Sequence, residues 1–290
     1  MLLGAHVSTA GGTANAPARA KALGATAMQI FSKQANRWAE RACEDAECRV
    51  FREALALTDV RITSAHDSYL INLASPDPVL RARSLESFVS ELHRCDALGI
   101  DYLVSHPGNY MDDRASGLAR NAEAIGAALE LVPGRTRVLL ETTAGSGTVL
   151  GASFEELALL IDSIPGKVSG RVGVCVDSQH IFAAGYDIVH DYDGVWRHFD
   201  DTVGFARLGM MHLNDSKVPL GCRRDRHQLI GLGAIGEEPF RRIMTDDRLV
   251  TVAKVIETPK LDSDFLADSC MLTLLRNLAR RPERGYAQWV

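Results

Sequence analysis

The feature that most constrains the fold is an alternation of short apolar segments with longer segments of helical periodicity along the chain. The apolar segments favour β-strands, and eight of them can be counted, at 2–8, 26–32, 61–66, 102–106, 138–142, 172–177, 208–214 and 251–257. Eight such alternations favour a closed parallel barrel, although eight strands can also form an open sheet. The length of 290 residues suits an α/β protein of the (β/α)₈ TIM-barrel class, which needs about 250 residues.

Two helix starts are indicated by local motifs. The segment 153–164 opens with an S-x-x-E capping box, and its apolar residues then fall on one helical face. Asp77 followed by Pro78 is typical of a helix start, and this helix is predicted to continue through Leu98. Because no linker or low-complexity segment divides the chain, residues 1–290 are predicted to form a single barrel domain.

Composition leaves the partner of the protein open. No segment approaches the roughly 18 consecutive apolar residues of a membrane span, and the start of the chain lacks the pattern of a secretory signal, so we expect a cytoplasmic protein without membrane contact. The net charge of −5 argues weakly against nucleic acid, but a basic patch or a bound metal can make one face positive. The six cysteines form no CxxC pair, which predicts reduced thiols and no cysteine metal site.

Side chains that can bind metal recur where the predicted strands end. In a barrel the carboxyl ends of the strands open on one face, and active sites lie there. A single histidine at a strand end is more often structural, but the recurrence at equivalent positions favours one shared pocket. The residues that would meet in it are His66, His106, Glu141, Asp177, His180, His212, Asp225, His227 and Glu257.

The types of these residues fit a zinc cluster. Five imidazoles and four carboxylates supply the nitrogen and oxygen ligands that zinc accepts. One ion cannot use nine ligands, whereas carboxylates can bridge ions, so we predict three ions, and such sites are typical of phosphoester cleavage. Of the other histidines, we expect His6 beside the pocket and His93 and His198 on helix surfaces, whereas the sequence does not place His190.

Several long motifs around these residues resemble the endonuclease IV family of apurinic/apyrimidinic endonucleases. The similarity extends from GAHVSTAGG at 4–12 to VIETP at 255–259. Its most specific motifs are HDSYLINLASP from His66, HPGNY from His106, DSQHIFAAGYD from Asp177, HLNDSK from His212, DRH at 225–227 and IGLGAIG from Ile230. The resemblance implies a (β/α)₈ barrel with three zinc ions at the C-terminal ends of its strands, and whether manganese fills one site is left open.

The resemblance also implies which residues bind each ion. The first ion would take His66, His106 and Glu141, the second Glu141, Asp177, His212 and Glu257, and the third His180, Asp225 and His227. Glu141 would bridge two ions, and it is the predicted catalytic residue.

The activity that the resemblance implies is hydrolysis of DNA on the 5′ side of an abasic site. The products would be a 3′-hydroxyl and a 5′-deoxyribose phosphate, and blocking groups would be trimmed from 3′ ends. A hydroxide held between ions would attack phosphorus while another ion stabilises the departing oxygen. An abasic nucleotide has no base to unstack, so turning it out of the duplex costs little. The expected partner is double-stranded DNA with abasic sites, and the expected state is a monomer.

Contacts with DNA are predicted for two kinds of side chain. By resemblance, Tyr69 and Leu70 would enter the duplex, although a Tyr-Leu pair in a core is the ordinary alternative. Cationic residues around the pocket are expected to contact phosphates, with a solvated charged loop as the alternative. These residues are Lys33, Arg37, Lys217, Arg223, Arg224 and Arg226.

The chain departs from the family pattern at a few positions. Asn36 stands where the family has a wedge arginine before tryptophan, and Arg37 follows one place later, so either the loop shifts or the wedge is weaker. Near the ligands the unusual residues are Thr142, Ser178, Gln179 and Cys222. They could tune metal affinity or rate, but they remove no ligand.

Two other functions are weighed against this one. A metal-dependent sugar isomerase or epimerase of the related barrel type also uses Glu, Asp and His at strand ends, but it needs neither a third set of ligands nor Tyr69 and Leu70. A catalytically silent DNA- or metal-binding protein would have no reason to keep all nine ligand positions.

Overall fold

The computed structural model describes residues 1–38, 43–260 and 264–280. Eight parallel strands close into a barrel: β1 (Leu3–His6), β2 (Ala27–Phe31), β3 (Ile62–His66), β4 (Tyr102–Ser105), β5 (Arg137–Glu141), β6 (Val172–Asp177), β7 (Leu208–Leu213) and β10 (Ala253–Ile256). Their order around the barrel is β1-β10-β7-β6-β5-β4-β3-β2, and β1 pairs with β2 to close it. Each strand lies within one of the eight predicted apolar segments, except that β5 begins one residue earlier, at Arg137. The predicted barrel is confirmed, and its closure excludes the open sheet.

Helices connect the strands and cover the outside of the barrel. They are α1 (Asn15–Ala22), α2 (Asp45–Ala56), α3 (Pro78–Leu98), α4 (Arg114–Leu131), α5 (Phe154–Ser163), α6 (Gly166–Ser169), α7 (Ser178–Ala184), α8 (Tyr192–Thr202), α9 (Glu237–Thr245) and α10 (Asp264–Leu278), with 3₁₀ turns at Phe205–Arg207 and Asp247–Leu249. A short antiparallel ribbon of β8 (Asp215–Ser216) and β9 (His227–Gln228) lies between β7 and α9. The helix faces and the outer strand faces bury one continuous apolar core.

The predicted helix starts are confirmed, with one difference in detail. The Asp77 carboxylate accepts hydrogen bonds from two amides in the first turn of α3, and Pro78 is the first helical residue. Ser153 accepts from the Glu156 amide at the start of α5. The Glu156 side chain does not complete the capping box, because it accepts instead from the amides of Gly151 and Ala152.

Every second side chain of a strand points into the barrel, and at the open end of the barrel these inward positions hold polar residues. The interior is filled by a small apolar cluster that includes Val104, Leu139, Cys175, Met210 and Val255. Successive side chains of a strand point to opposite faces, so the residue two places further on points inward again. The residues reached in this way are His106, Glu141, Asp177, His212 and Glu257.

Two predictions from composition can be compared with the described residues. None of their helices is long and apolar enough to cross a membrane. All six cysteines are free, as predicted.

Candidate metal centre

The centre of the site is the Glu141 carboxylate, which is 1% exposed at the end of β5. One of its oxygens, Oε2, lies 3.1 Å from Nε2 of His66 and 3.0 Å from Nε2 of His106. His66 ends β3 and His106 directly follows the neighbouring β4, so the parallel pairing of β3, β4 and β5 sets their separation. These three side chains form a group whose ligand atoms could hold one metal ion.

The second oxygen of Glu141 belongs to another group. Oε1 lies 2.8 Å from Nδ1 of His212, and the same imidazole nitrogen lies 3.2 Å from Oε2 of Glu257. Asp177 completes this group, and its carboxylate is fully buried. Glu141 is therefore shared by two groups through different oxygens, as a bridging carboxylate would be.

A third group lies where β6 meets α7 and the loop that follows β8. Asp225 approaches both histidines, with Oδ2 at 3.3 Å from Nε2 of His180 and Oδ1 at 3.2 Å from Nε2 of His227. Asp177 also belongs to this group, since its Oδ2 lies 3.8 Å from Nε2 of His227. The structure thus brings all nine predicted ligands together, and it adds Asp177 to the third set.

Opposite charges hold the cluster together. Burial lowers the pKa of the His66 imidazole, but the hydrogen bond and charge of Glu141 outweigh burial and raise this pKa to about 10. Burial likewise lowers the pKa of His227, yet the charges of the Asp177 and Asp225 carboxylates raise it to about 9. Burial would raise the pKa of Glu141, but His212 and His106 hold it well below its usual range. The site is therefore built for groups that carry charge while buried.

Backbone carbonyl oxygens orient two of the imidazoles. A carbonyl oxygen can only accept, so Nδ1 of His66 donates to the Asp67 carbonyl at 2.9 Å, and Nδ1 of His180 donates to that of Thr142 at 2.8 Å. The other nitrogen of each ring then faces the cluster. Ligating histidines in metalloproteins characteristically have this arrangement, because the outer hydrogen bond fixes the ring and its tautomer.

The residues fit divalent metal ions. Nε2 of His227 is buried without a hydrogen-bond partner, although it lies beside two carboxylates. Imidazole nitrogens and carboxylate oxygens are ligands that zinc and related ions accept. An ion between these groups would satisfy the His227 nitrogen and balance the carboxylates.

Comparison with known proteins agrees with this geometry. Residues 17–274 match the family model of the xylose isomerase-like TIM barrel. The chain is 46% identical to a probable endonuclease 4 of Chloroflexus aggregans over 96% of this chain and 97% of that protein. The solved structure of endonuclease IV from Thermus thermophilus has a TM-score of 0.86 at 36% identity, covering 96% of this chain and 98% of that one. The chain belongs to the endonuclease IV family.

Members of other enzyme classes share only the fold with this endonuclease IV family member. A D-psicose 3-epimerase structure has a TM-score of 0.65 at 17% identity, covering 96% of each chain. At that identity the likeness shows the barrel and no activity, because one barrel fold supports many chemistries.

Gln29 contacts two of the predicted ligands, and the sequence did not single it out. Its Nε2 donates to Oε1 of Glu257 at 2.5 Å, which leaves its Oε1 to accept from Nε2 of His212 at 2.9 Å. Nδ1 of His212 is then the nitrogen that faces Glu141. Gln29 lies two places after the interior residue Ala27, so the period of two that places the ligands could have revealed it.

We expect Gln29→Ala to lower metal affinity by about 10- to 100-fold, because His212 loses the acceptor that fixes its ring. The measurement is a competition titration against a chromogenic chelator. Gln34→Ala, at an exposed position, serves as the control and should leave the affinity unchanged. Equal affinities in the two variants would show that Gln29 does not orient His212.

Three of the residues that depart from the family pattern, Thr142, Ser178 and Gln179, lie around the ligands. The Thr142 hydroxyl accepts from the Asp177 amide at 2.9 Å, and Ser178 donates to the Asn214 carbonyl at 2.8 Å. Gln179 donates to the Arg224 carbonyl at 3.0 Å. These residues therefore hold ligands and the loop after β8 in place. Their effect on metal affinity stays a prediction.

One cysteine lies closer to the cluster than spacing suggested. The sulfur of Cys175 is within 4.8 Å of the ligand atoms of Glu141 and His212. Burial raises the pKa of the Cys175 thiol well above its usual value, which disfavours the thiolate that would bind a metal.

The remaining histidines are placed as follows. His6 adjoins the cluster, with Nδ1 at 3.3 Å from Oε1 of Glu257, as predicted. His93 is exposed on α3, and His198 lies on α8. His190, which the sequence left unplaced, is exposed and pairs with Asp187.

The predicted wedge residues lie in the loop after His66, where most neighbouring side chains are buried. Tyr69 is 64% exposed, and its ring packs edge-on against Phe31 with centroids 5.4 Å apart. Leu70 is half-buried. A core pair would be covered, so the exposure of Tyr69 disfavours that alternative and leaves its face available to DNA.

The six predicted phosphate contacts do not all reach the surface. Arg37 and Asn36 are both exposed in the loop after β2. Lys33 is buried instead, and its Nζ donates to the Trp38 carbonyl at 2.8 Å and to the Ser87 hydroxyl at 2.6 Å. The structure corrects the prediction for Lys33, because an ammonium enclosed in this way cannot contact a phosphate.

The basic loop between β8 and β9 presents the other cations beside the third group. Their side chains are exposed: Lys217, Arg223, Arg224 and Arg226. The loop is anchored to the end of α7, since the Arg223 amide donates to the Ala183 carbonyl at 2.9 Å. It therefore holds positive charge beside a cluster that otherwise contains many carboxylates.

Proposed function

We propose that this chain is an apurinic/apyrimidinic endonuclease that hydrolyses the DNA phosphodiester 5′ to an abasic site, leaving a 3′-hydroxyl and a 5′-deoxyribose phosphate. The observation that carries the proposal is the convergence of three overlapping groups of imidazoles and carboxylates around the buried Glu141. The relatives named endonuclease 4 support the same activity. Trimming of blocked 3′ ends is included, because it breaks the same kind of bond.

Three zinc ions are the proposed cofactors, held by the nine residues in the sets described for the sequence. When bound, they would supply the positive charge that activates water and stabilises the phosphoryl and leaving oxygens. The chain itself would hold the ligand atoms in place. Asp67, Thr142 and Gln29 contribute by orienting the imidazoles of His66, His180 and His212. We further propose that the protein acts as a monomer of one barrel domain.

DNA would be bound across the open end of the barrel. Exposed Arg37 on one side and the basic loop on the other would contact phosphates of the backbone. Tyr69 and Leu70 would fill the gap left when the abasic nucleotide turns towards the cluster. The proposal thus separates residues that read the damage from residues that bind any duplex.

An incision assay tests the proposed function. The substrate is a labelled duplex with one tetrahydrofuran abasic analogue, and an undamaged duplex of the same sequence is the control. We expect a single cut 5′ to the analogue, with an end that a DNA polymerase extends directly. Epimerisation of ketose sugars by protein that leaves the abasic duplex intact would support the sugar-enzyme alternative instead.

We expect the double variant Tyr69→Ala and Leu70→Ala to bind abasic DNA more weakly while keeping its metal. Loss of stacking is worth roughly 1–3 kcal/mol per side chain. Cleavage of a small phosphodiester, which needs no flipping, should change little. Binding isotherms on abasic and intact duplexes, together with elemental analysis, measure these effects.

The basic loop supplies the matched comparison for this variant. Arg223→Ala and Arg226→Ala should weaken binding to intact and abasic DNA alike and reduce its salt dependence. If the Tyr69 and Leu70 variant lost small-substrate cleavage as strongly as abasic-DNA cleavage, the pair would be structural and the wedge role would be wrong.

A further inference from the structure

A buried ion pair lies behind the metal cluster, between the loop after β2 and α3. Nζ of Lys33 is 3.6 Å from Oε1 of Glu91, and the two side chains are 2% and 1% exposed. Burial raises the pKa of Glu91, whereas the positive charge of Lys33 acts in the opposite direction. A charged pair in this position is costly to bury, so its contacts indicate a role other than simple packing.

Both partners hold the loop after β2, which we call the Arg37 loop and define as residues 32–38. Lys33 donates to the Trp38 carbonyl at 2.8 Å, and Glu91 accepts from the Ser32 hydroxyl at 2.9 Å. The guanidinium of Arg83, also on α3, lies 4.6 Å above the Trp38 ring. Helix α3 is therefore the surface on which the Arg37 loop is fixed.

The same carboxylate holds the loop after β3, which we call the Tyr69 loop and define as residues 67–72. Oε1 of Glu91 accepts from the Ser68 amide at 2.9 Å. The Ser68 hydroxyl donates in turn to the Ala35 carbonyl of the Arg37 loop at 2.6 Å. At its far end, the Tyr69 loop is fixed to α3 by a bond from the Asn72 amide to Ser84 at 3.0 Å.

We propose that Lys33 and Glu91 are positioning residues that join the Arg37 loop and the Tyr69 loop into one preorganised element for inserting into damaged DNA. Neither side chain touches DNA or metal in this role. That the loops are joined follows from the contacts in the structure alone. The effect on DNA binding rests on the proposed function. Preorganised loops bind more tightly because less ordering is needed when the complex forms.

The joining of the loops is tested by hydrogen exchange in the full-length protein. Lys33→Met should speed exchange in the Tyr69 loop as well as in its own Arg37 loop, and Glu91→Gln on α3 should speed exchange in both loops, because Glu91 bonds to Ser32 and to Ser68. Lys167→Met is the control, since Lys167 pairs with Glu130 in an exposed ion pair. The proposal would be overturned if Lys33→Met raised exchange only in the Arg37 loop, if Glu91→Gln raised it in only one of the two loops, or if either change raised it equally in all segments.

The consequence for DNA is tested with the same variants. Each single change should raise KM for abasic duplex at least about tenfold, while kcat for a small phosphodiester and the metal content stay at the wild-type level. In the double variant, KM should rise by less than the product of the two single increases, because no unpaired charge is left buried. It also serves as a folded test case if either single variant unfolds.

Two outcomes separate this inference from the proposed function. If wild-type protein does not incise abasic DNA, the proposed function fails, and the exchange experiment still decides whether the loops are joined. If wild-type protein incises abasic DNA but the variants bind it normally, the positioning role is wrong.

Discussion

Glu141→Gln is expected to lower the rate of abasic-site incision by at least about 10²-fold. The carboxylate contacts His66, His106 and His212 and is shared by two ligand groups, so its loss disturbs more than one ion site at once. Glutamine keeps nearly the same shape, but it removes the charge and places an N–H where an oxygen should face an ion. Losses of this size are typical when a group that positions charge in the transition state is removed.

The control for this variant is Glu155→Gln. Glu155 is an exposed carboxylate that pairs with His198 away from the cluster. Single-turnover incision and elemental analysis should be measured on both proteins, so that lost metal and lost rate are told apart. Turnover near the wild-type level in Glu141→Gln would refute the bridging role.

Exhaustive chelation is expected to abolish incision and to lower the free energy of unfolding. The imidazoles and carboxylates of the cluster come together only in the folded barrel, so bound ions would favour that state. A single ion at 1,000 times its Kd contributes about 4 kcal/mol, which predicts a clear fall in the melting temperature by calorimetry.

The control for chelation is the same chelator saturated with zinc before it is added. Zinc returned to the stripped protein should restore both incision and melting temperature. Full activity in protein shown by elemental analysis to hold no metal would contradict the metal-dependent account.

The barrel and its ligands could be predicted because their signals are local in sequence. Each strand is a short apolar segment, and each ligand at a strand end is a residue of recognisable type in phase with the interior. The period of two along the strand and the type of residue were therefore sufficient to predict Glu141 and His212 as ligands. The same period extended to β2 would also have found Gln29, but only imidazoles and carboxylates were considered at the strand ends.

The roles that could not be predicted from the sequence depend on contacts between residues that are far apart along the chain. Lys33 has the residue type of a phosphate contact, and only the position of Glu91 on α3 shows that it is buried. Asp177 was assigned to one group, and its approach to His227 adds it to another. Glu156 has the spacing of a capping box, but the preceding turn supplies nearer amides. In each of these cases the role of the residue depends on its burial and on the direction of its side chain.

Nine side chains are proposed to form one centre of several metal ions that cleaves DNA at abasic sites. The most direct test is elemental analysis of purified, fully active protein, with incision of the abasic duplex measured on the same sample. We expect close to three ions per chain. One ion or none in protein that incises at its full rate would contradict the account.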